Sequence, residues 1–231
     1  MKKPIIGIVG RCESDEKDRS YFYIFEGLRR CIYNLGGEVL LLLPPSKEDC
    51  YKTRYSELKE FTLEEKESIK RWLDMCDGVI FPGGFKLTKY DRFALDYLNE
   101  KDIPVLGICL GMQILSLYKE DLCFTDVEKS DIIHNQETPT GVSHEVTIDK
   151  NSKLYSILKK EKIMVNSFHK KKATPNKYYK TVAYAPDGVI EAIELQDKTF
   201  SIGVQWHPEK NYEEDENSRL IMEAFINASR K

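Results

Sequence analysis

The sequence predicts an α/β fold in which an open, mostly parallel sheet is flanked by helices. Short runs of apolar, often β-branched residues alternate with segments whose apolar residues recur at helical spacing, and turn residues separate the two. Because a crossover helix returns the chain to the next parallel strand, this alternation is typical of a sheet covered on both faces. The length of 231 residues favours a single domain over residues 1–231.

The first half of the chain carries the clearest strand and helix signals. Its strands are apolar runs that stop at glycine or proline, as at Pro44-Pro45. Gly36-Gly37 ends the first helix, and Thr62 with Glu65 forms a capping-box pattern that opens the second. Strands are predicted at residues 4–9, 38–43, 78–81 and 103–108, and helices at residues 21–35, 62–75 and 92–100.

The second half is richer in strands than in helices. One closing helix is predicted over residues 217–229, where Leu220, Ile221, Ala224 and Phe225 lie on one side. The long connections at 44–61 and 119–143 are expected to be loops or lids. Strands are predicted at residues 144–148, 163–166, 181–185, 189–194 and 201–205.

Composition excludes several classes of function. The net charge of −3 arises from interspersed acidic and basic residues, so we expect no nucleic acid partner. The basic run 169–172 is more typical of a solvated face than of a binding patch. No apolar stretch approaches a membrane span or a signal peptide, so we expect no membrane partner and a cytoplasmic protein. The six cysteines are scattered without a C-x-x-C pair, which predicts reduced thiols, no metal and no cofactor.

The segment 105–113 places a cysteine between two glycines at a strand-to-helix junction. Gly107 and Gly111 give the pattern G-x-C-x-G around Cys109, the thiol counterpart of a nucleophile elbow. The glycines leave room where the backbone turns, and a helix beginning at Leu110 directs N–H groups and partial positive charge at the sulfur. The alternative is that Cys109 is a small buried core residue.

A candidate general base follows the last predicted strand. His207 and Glu209 stand at the carboxyl end of residues 201–205, and Pro208 stiffens the backbone between them. Functional groups of open parallel sheets gather at this edge, where Cys109 is also expected. Glu209 would accept a hydrogen bond from one imidazole nitrogen while the other takes the thiol proton. The alternative is a strand-capping histidine and a solvated glutamate.

A glycine-rich turn follows another strand at the same edge. Backbone at Gly83 and Gly84, after Pro82, can direct a free N–H inward. Together with the N–H of Leu110 it would form a two-donor oxyanion hole. Taken alone, the motif is equally consistent with a plain turn.

In order and spacing, these three motifs resemble those of the class I glutamine amidotransferase family, and the implied fold is flavodoxin-like. The resemblance covers Pro82-Gly83-Gly84, residues 107–113 and residues 205–209. It implies Cys109 as nucleophile, His207 as base and Glu209 as the group that orients it. It also implies that Gly83, Gly84 and Gln113 help to hold a glutamyl group.

Within that family the sequence is most similar to the γ-glutamyl-γ-aminobutyrate hydrolase branch, through segments at 4–8, 143–148, 165–169 and 185–191. This likeness places Asn166, Ser167 and His169 beside the pocket, with the 166–167 backbone near the glutamyl α-carboxylate. The chain departs from the branch at residues 85–90, at Leu110, at Lys170-Lys171 and at 119–121. All four departures fall where a leaving amine is expected.

The resemblance implies hydrolysis of a γ-glutamyl amide, glutamine or a γ-glutamyl-amine, through a glutamyl thioester. Two alternatives stay open, a glutaminase subunit that supplies ammonia to a partner synthetase and a binding module that has kept the fold without activity. A homodimer is also left open. Lys86, Lys89, Lys170 and Lys171 either converge at the pocket mouth, which would favour an acidic amine, or are solvated and face away.

Overall fold

A computed structural model describes residues 2–120, 124–136 and 141–230. Its centre is a nine-stranded sheet with the strand order β4-β1-β5-β6-β13-β12-β11-β8-β9. Two short two-stranded sheets, β2-β3 and β10-β7, lie apart from it. The strands are β1 (Ile5–Val9), β2 (Arg11–Ser14), β3 (Ser20–Tyr23), β4 (Glu38–Leu42), β5 (Gly78–Phe81), β6 (Val105–Ile108), β7 (Thr125–Asp126), β8 (His144–Ile148), β9 (Lys162–Val165), β10 (Lys171–Lys172), β11 (Lys180–Tyr184), β12 (Ile190–Glu194) and β13 (Ser201–Val204).

The helices follow the capping signals of the sequence. Thr62 and Thr88 each form a complete capping box, and Ser152 and Asp215 accept hydrogen bonds from backbone N–H groups of the first turn. The helices are α1 (Glu26–Asn34), α2 (Leu63–Leu73), α3 (Lys89–Glu100), α4 (Leu110–Leu115), α5 (Lys153–Leu158), α6 (Pro208–Asn211) and α7 (Glu216–Ala228).

Two apolar cores lie on opposite faces of the central sheet. In β5, Ile80 packs into the core that includes side chains of α1, α5 and α7, whereas Val79 and Phe81 pack into the core formed with α2, α3 and α4. Alternate residues of a strand point to opposite faces, so a strand covered on both sides is apolar throughout. The predicted class, an open, mostly parallel sheet flanked by helices, is confirmed.

The sheet changes character at β13. The strands β4, β1, β5, β6 and β13 pair in parallel. Beyond β13, the strands β12, β11, β8 and β9 pair antiparallel with their neighbours. The turn between β11 and β12 contains Gly188 at φ 83°, so these strands are joined by a tight hairpin without a crossover helix.

The predicted helix over residues 21–35 is wrong in its first part. Residues Ser20–Tyr23 form β3, which pairs antiparallel with β2, and the helix begins only at Glu26. Three consecutive aromatic residues, Tyr21, Phe22 and Tyr23, favour extended backbone, and the partner strand satisfies their peptide groups. The helix predicted from residue 92 begins earlier, at Lys89, because Thr88 caps it.

The two predicted long loops are mostly irregular. The 44–61 connection contains a single 3₁₀ turn, Tyr55–Glu57, and the described part of the 119–143 connection contains β7. Residues 121–123 and 137–140 of that loop lie outside the described residues. Among the residues that the structure describes, no helix has the length and apolar character needed to cross a lipid bilayer.

Candidate active site

Three neighbouring strands bring the predicted site residues to one edge of the sheet. Gly83 and Gly84 follow β5, Cys109 follows β6 and His207 follows β13, and these strands are adjacent and parallel. All their carboxyl ends therefore meet at the same edge. The glycine turn and the candidate base are more than a hundred residues apart in sequence. The sheet nevertheless brings both to the candidate nucleophile, as the strand pattern predicts.

Cys109 occupies a strained turn between β6 and α4. Its φ of 53° and ψ of −107° place a non-glycine residue at positive φ, where the Cβ atom crowds the backbone. A Cβ on Gly111 would lie 1.8 Å from the carbonyl oxygen of Phe81, and one on Gly107 would lie 2.7 Å from the carbonyl carbon of Gly111. The two glycines are therefore required by the close crossing of strand and helix.

The glycine turn after β5 packs against both candidate catalytic side chains. A Cβ on Gly83 would lie 2.8 Å from Cε1 of His207 and 3.6 Å from Cβ of Cys109. A side chain at this position would thus collide with the imidazole of His207 and lie against Cβ of Cys109. The absence of a Cβ at Gly83 lets the backbone approach both candidate catalytic side chains directly.

Arg11 fixes this turn and was not predicted from the sequence. The guanidinium is 3% exposed, donates from Nε to the carbonyl of Pro82 at 3.1 Å, and pairs with Asp91 at 2.6 Å. Asp91 also accepts from the N–H and hydroxyl of Thr88 at the start of α3. The only sequence signal was the position of Arg11, just after β1 at the carboxyl edge.

His207 and Glu209 form a buried hydrogen-bonded pair. The distance from His207 Nδ1 to Glu209 Oε1 is 2.7 Å, and both side chains are almost fully buried. Burial alone would lower the pKa of His207, but the Glu209 carboxylate and the hydrogen-bonded Cys109 sulfur outweigh it and raise that pKa to about 10. Since Nδ1 faces Glu209, Nε2 is the nitrogen left for the sulfur.

Asn166 holds the backbone of His207 through two hydrogen bonds. Its amide nitrogen donates to the carbonyl of His207 at 2.9 Å, and its Oδ1 accepts from the N–H of His207 at 2.8 Å. The sequence placed Asn166 beside the pocket, and the structure gives its side chain this positioning contact with the candidate base.

The other predicted substrate contacts are buried and have partners within the fold. Gln113 donates from Nε2 to the carbonyl of Lys171 and to the side chain of Gln205. The N–H of Ser167 donates to Gln136, and its hydroxyl donates to the carbonyl of His134. His169 is buried beside His134 and Glu191, and His134, His144 and Glu191 form a group that could hold a metal ion.

Three of the four lysines predicted near the pocket mouth have partners on the surface. Lys86 donates to the carbonyl of Tyr51, Lys89 pairs with Glu60 at 2.6 Å, and Lys171 pairs with Asp126 at 2.8 Å. Of the two interpretations, these contacts favour the one in which the lysines face away.

Comparisons with known proteins agree with this architecture. A sequence model of the Peptidase C26 family matches residues 88–209. A γ-glutamyl-γ-aminobutyrate hydrolase of Shigella flexneri is 33% identical, with 99% of this chain and 94% of the relative covered. The γ-glutamyl-γ-aminobutyrate hydrolase PuuD of Escherichia coli is 27% identical at the same coverage.

Solved structures share the fold at lower identity. The glutaminase domain of Trypanosoma brucei CTPS with bound acivicin superposes with a TM-score of 0.65 at 18% identity, covering 98% of this chain and 94% of that one. A glutamine amidotransferase from Thermotoga maritima gives 0.62 at 14% identity, with both chains fully covered. The chain belongs to the Peptidase C26 family of class I glutamine amidotransferase-like proteins.

Proposed function

We propose that the chain is a cysteine-dependent hydrolase of γ-glutamyl amides. The observation that carries the proposal is the juxtaposition of Cys109, held at positive φ on its turn, with His207, whose other ring nitrogen bonds Glu209. A thiol beside an oriented imidazole at a helix N-terminus is the arrangement of an activated nucleophile. The relatives that match nearly the whole chain are named γ-glutamyl-γ-aminobutyrate hydrolases, which supports a γ-glutamyl substrate.

In the proposed reaction the sulfur of Cys109 attacks the amide carbonyl carbon of the γ-glutamyl side chain. The N–H groups of Gly84 and Leu110 stabilise the oxyanion of the tetrahedral intermediate. His207, protonated at Nε2, transfers this proton to the departing nitrogen, so the C–N bond breaks and a glutamyl thioester forms. His207 then takes a proton from water as the water oxygen bonds to the thioester carbonyl carbon. The carbon–sulfur bond breaks, glutamate is released, and His207 returns the proton to the sulfur.

Gly83, Gln113 and the 166–169 segment are proposed to form the glutamyl pocket. Gly83 lies against both Cys109 and His207, so the amide carbonyl of a bound substrate would lie next to Gly83. Asn166, Ser167 and His169 belong to a segment tied to His207 through the side chain of Asn166. We propose that this segment forms the side of the pocket that receives the α-carboxylate.

The test is amine or ammonia release from a panel of γ-glutamyl compounds, including glutamine, by the purified chain alone. We expect hydrolysis of at least one panel member, abolished by Cys109→Ala and retained by Cys12→Ala, which changes a partly exposed cysteine outside the site. A covalent glutamyl adduct on Cys109, trapped by acid quench and located by mass spectrometry, would support the thioester. Full activity in Cys109→Ala would reject the mechanism.

A glutaminase subunit that supplies ammonia to a synthetase is the second candidate. It is favoured by the likeness of this fold to the glutaminase domain of CTPS. The two candidates differ in the need for a partner, because a subunit of that kind is expected to be weak alone. Glutamine hydrolysis that is negligible for the pure chain but rises when a synthetase is added would favour the subunit.

A further inference from the structure

A second buried polar cluster lies apart from Cys109 and His207 and contains the other three of the four histidines in the sequence. His134, His144 and His169 surround Glu191, and all four residues are at most 5% exposed. His144 begins β8, Glu191 lies in β12, His134 lies between β7 and β8, and His169 follows β9. The cluster therefore joins two strands of the central sheet to two of its connecting segments.

Three ring nitrogens converge on one carboxylate oxygen. Oε1 of Glu191 lies 3.1 Å from Nε2 of His144, 3.3 Å from Nδ1 of His134 and 3.6 Å from Nε2 of His169. Ligand atoms around a tetrahedral zinc ion, at bond lengths of about 2.0–2.1 Å, are about 3.3 Å apart. The distances from Oε1 to these nitrogens are thus close to this value, and the ligand atoms of His134, His144 and Glu191 all lie within 4.8 Å of one another.

The outward nitrogen of each ring is held by an acceptor. Nδ1 of His144 faces the carbonyl of Ile133 at 3.2 Å, and Nδ1 of His169 faces the carbonyl of Lys171 at 2.9 Å. Nε2 of His134 faces a carboxylate oxygen of Asp187 at 3.0 Å. Carbonyl oxygens only accept, so His144 and His169 must carry protons on these outward nitrogens. Such contacts are what orient histidines that bind metals through the other nitrogen.

The inward atoms lack adequate partners. Nδ1 of His134, Nε2 of His169 and Oε2 of Glu191 are buried and make no hydrogen bond, although both nitrogens lie close to Oε1. Of the three inward nitrogens, only Nε2 of His144 has a hydrogen-bond contact, with Oε1 of Glu191 at 3.1 Å. A cation bound among these buried atoms would give the unpaired ones a partner through their lone pairs.

We propose that His134, His144 and Glu191 bind one zinc ion and that His169, beside them, becomes the fourth ligand of a closed structural site. Imidazole and carboxylate ligands in a tetrahedral arrangement suit Zn²⁺, and a closed shell is typical of structural sites. A polar cavity of about 350 Å³, lined in part by His134 and His169, provides a route for the ion from the surface.

The site would fix the backbone that leads to the candidate base. The carbonyl of His134 accepts from the hydroxyl of Ser167 and from the N–H of His169. Asn166, the neighbour of Ser167, holds both backbone polar groups of His207. Zinc would therefore anchor the segment that positions His207, without touching the reacting atoms.

The experiment measures the zinc content of protein made without a polyhistidine tag. The protein carries the Cys109→Ala substitution, so that zinc cannot bind to the Cys109 thiolate instead. After dialysis against a chelator, the protein is titrated with Zn²⁺ and its metal content is determined by plasma mass spectrometry. We expect one tightly held zinc per chain and a higher melting temperature on zinc addition. Co²⁺ in its place should give the visible absorption of a tetrahedral nitrogen–oxygen site.

Matched variants separate the site from general destabilisation. Glu191→Gln should lose stoichiometric zinc, whereas Glu194→Gln should keep it, because Glu194 is a buried glutamate of the same strand whose side chain accepts from backbone N–H groups of α5. Asp187→Asn touches no ligand atom that faces the ion, so it should still bind one zinc, about 10- to 100-fold more weakly.

Two results would overturn the proposal. One is unchanged zinc binding in Glu191→Gln. The other is chelator-treated Cys109→Ala protein that binds no zinc and melts at the same temperature with and without it. In the second case, imidazole proton resonances from doubly protonated rings would identify the cluster as three imidazolium ions around Glu191.

Discussion

At the scale of single residues, the candidate site depends on groups that fix the positions of their neighbours. The imidazole of His207 is oriented at Nδ1 by Glu209 and at its backbone by Asn166. Each of these bonds is buried, so a substitution that removes one leaves an unpaired polar group as well as a less ordered ring.

Cys109→Ala should reduce hydrolysis by a factor on the order of 10³ or more, because loss of a nucleophile removes the covalent pathway. The variant should stay folded, since alanine keeps the Cβ atom and removes one buried sulfur. In the parent, a thiol reagent should modify Cys109 ahead of Cys31 and Cys76, whose buried thiols have raised pKa values. Peptide mapping after brief alkylation checks this order, and preferential labelling of Cys12 with Cys109 inert would contradict it.

Removal of the base should cost more activity than removal of its orienting group. His207→Ala eliminates proton transfer, whereas Glu209→Gln keeps a hydrogen-bonding partner for Nδ1 but loses the negative charge. We expect kcat to fall further in the first variant than in the second. Steady-state kinetics on one substrate would check the ranking, and near-parental activity of His207→Ala would refute the role of this residue.

Site residues could be predicted from the sequence where they stand in a short local motif. They could not be predicted where only the folded sheet brings the interacting residues together. Cys109, His207 and Glu209 each stand in a short pattern at the end of an apolar run. Arg11 and the His134 cluster have no such pattern, because their partners are tens of residues away and meet only in the folded sheet. The expectation of no metal rested on cysteine spacing, which carries no information about histidines dispersed over several elements.

At the scale of elements, strand-to-helix crossings leave no room for side chains at two glycines. Gly107 and Gly111 contact backbone atoms of α4 and β5 rather than flexible side chains, so the neighbours cannot move aside at low cost. The prediction of strands β1, β5 and β6 from apolar runs was accurate for the related reason that both faces of such strands are buried.

Gly111→Ala should lower the free energy of unfolding by more than about 2 kcal/mol, because its Cβ would overlap the Phe81 carbonyl. Gly27→Ala is the matched control, since Gly27 lies in α1 and its nearest atom would be 4.0 Å away. The control should be neutral or stabilised by up to about 1 kcal/mol. Urea unfolding of both variants gives the comparison; equal stabilities would disprove the steric argument.

The ion pair that links β2 to α3 provides a second test. Asp91→Ala leaves the buried Arg11 guanidinium without its carboxylate, which should cost about 3–5 kcal/mol of stability. Replacing both residues, as Arg11→Met with Asp91→Leu, should recover much of that loss. Because Arg11 also holds the Pro82 carbonyl, activity should stay reduced in the double variant even where stability returns.

Elements were least predictable where tertiary pairing overrides local pattern. The aromatic run 21–23 has helical spacing with the residues that follow it, yet it is extended because β2 lies beside it. The small helices α5 and α6 escaped prediction because each has only one or two turns, too few for an apolar period to be visible.

At the scale of the whole molecule, the buried pair at the site couples global stability to pH. The pKa of His207 is about 10 in the folded protein and near 6.5 when the chain is unfolded. The folded state therefore binds this proton more tightly. The resulting stability is fully present below pH 6.5 and is lost as pH rises through 10.

We expect the stability difference between the parent and His207→Gln to shrink by roughly 1.4 kcal/mol per pH unit across that window. Parallel urea unfolding of the two proteins from pH 6 to pH 10 measures it. Cys109→Ala should lower the pKa of His207, since the sulfur contributes to the rise, and imidazole titration by NMR checks this. A parent-minus-variant difference that does not change with pH would rule out the coupling.

The position of β13 has a consequence for biosynthesis. This strand lies between β6 and β12 in the middle of the sheet, although it is the last strand in chain order among the described residues. While a ribosome is still making the chain, β6 and its cysteine are already present but their central neighbour is not. The imidazole arrives only with the segment that follows β13, so a nascent chain carries its thiol without a base. The proposed hydrolysis would therefore begin only after this late strand has inserted, and folding is expected to be slow because the central pairings span large separations in sequence.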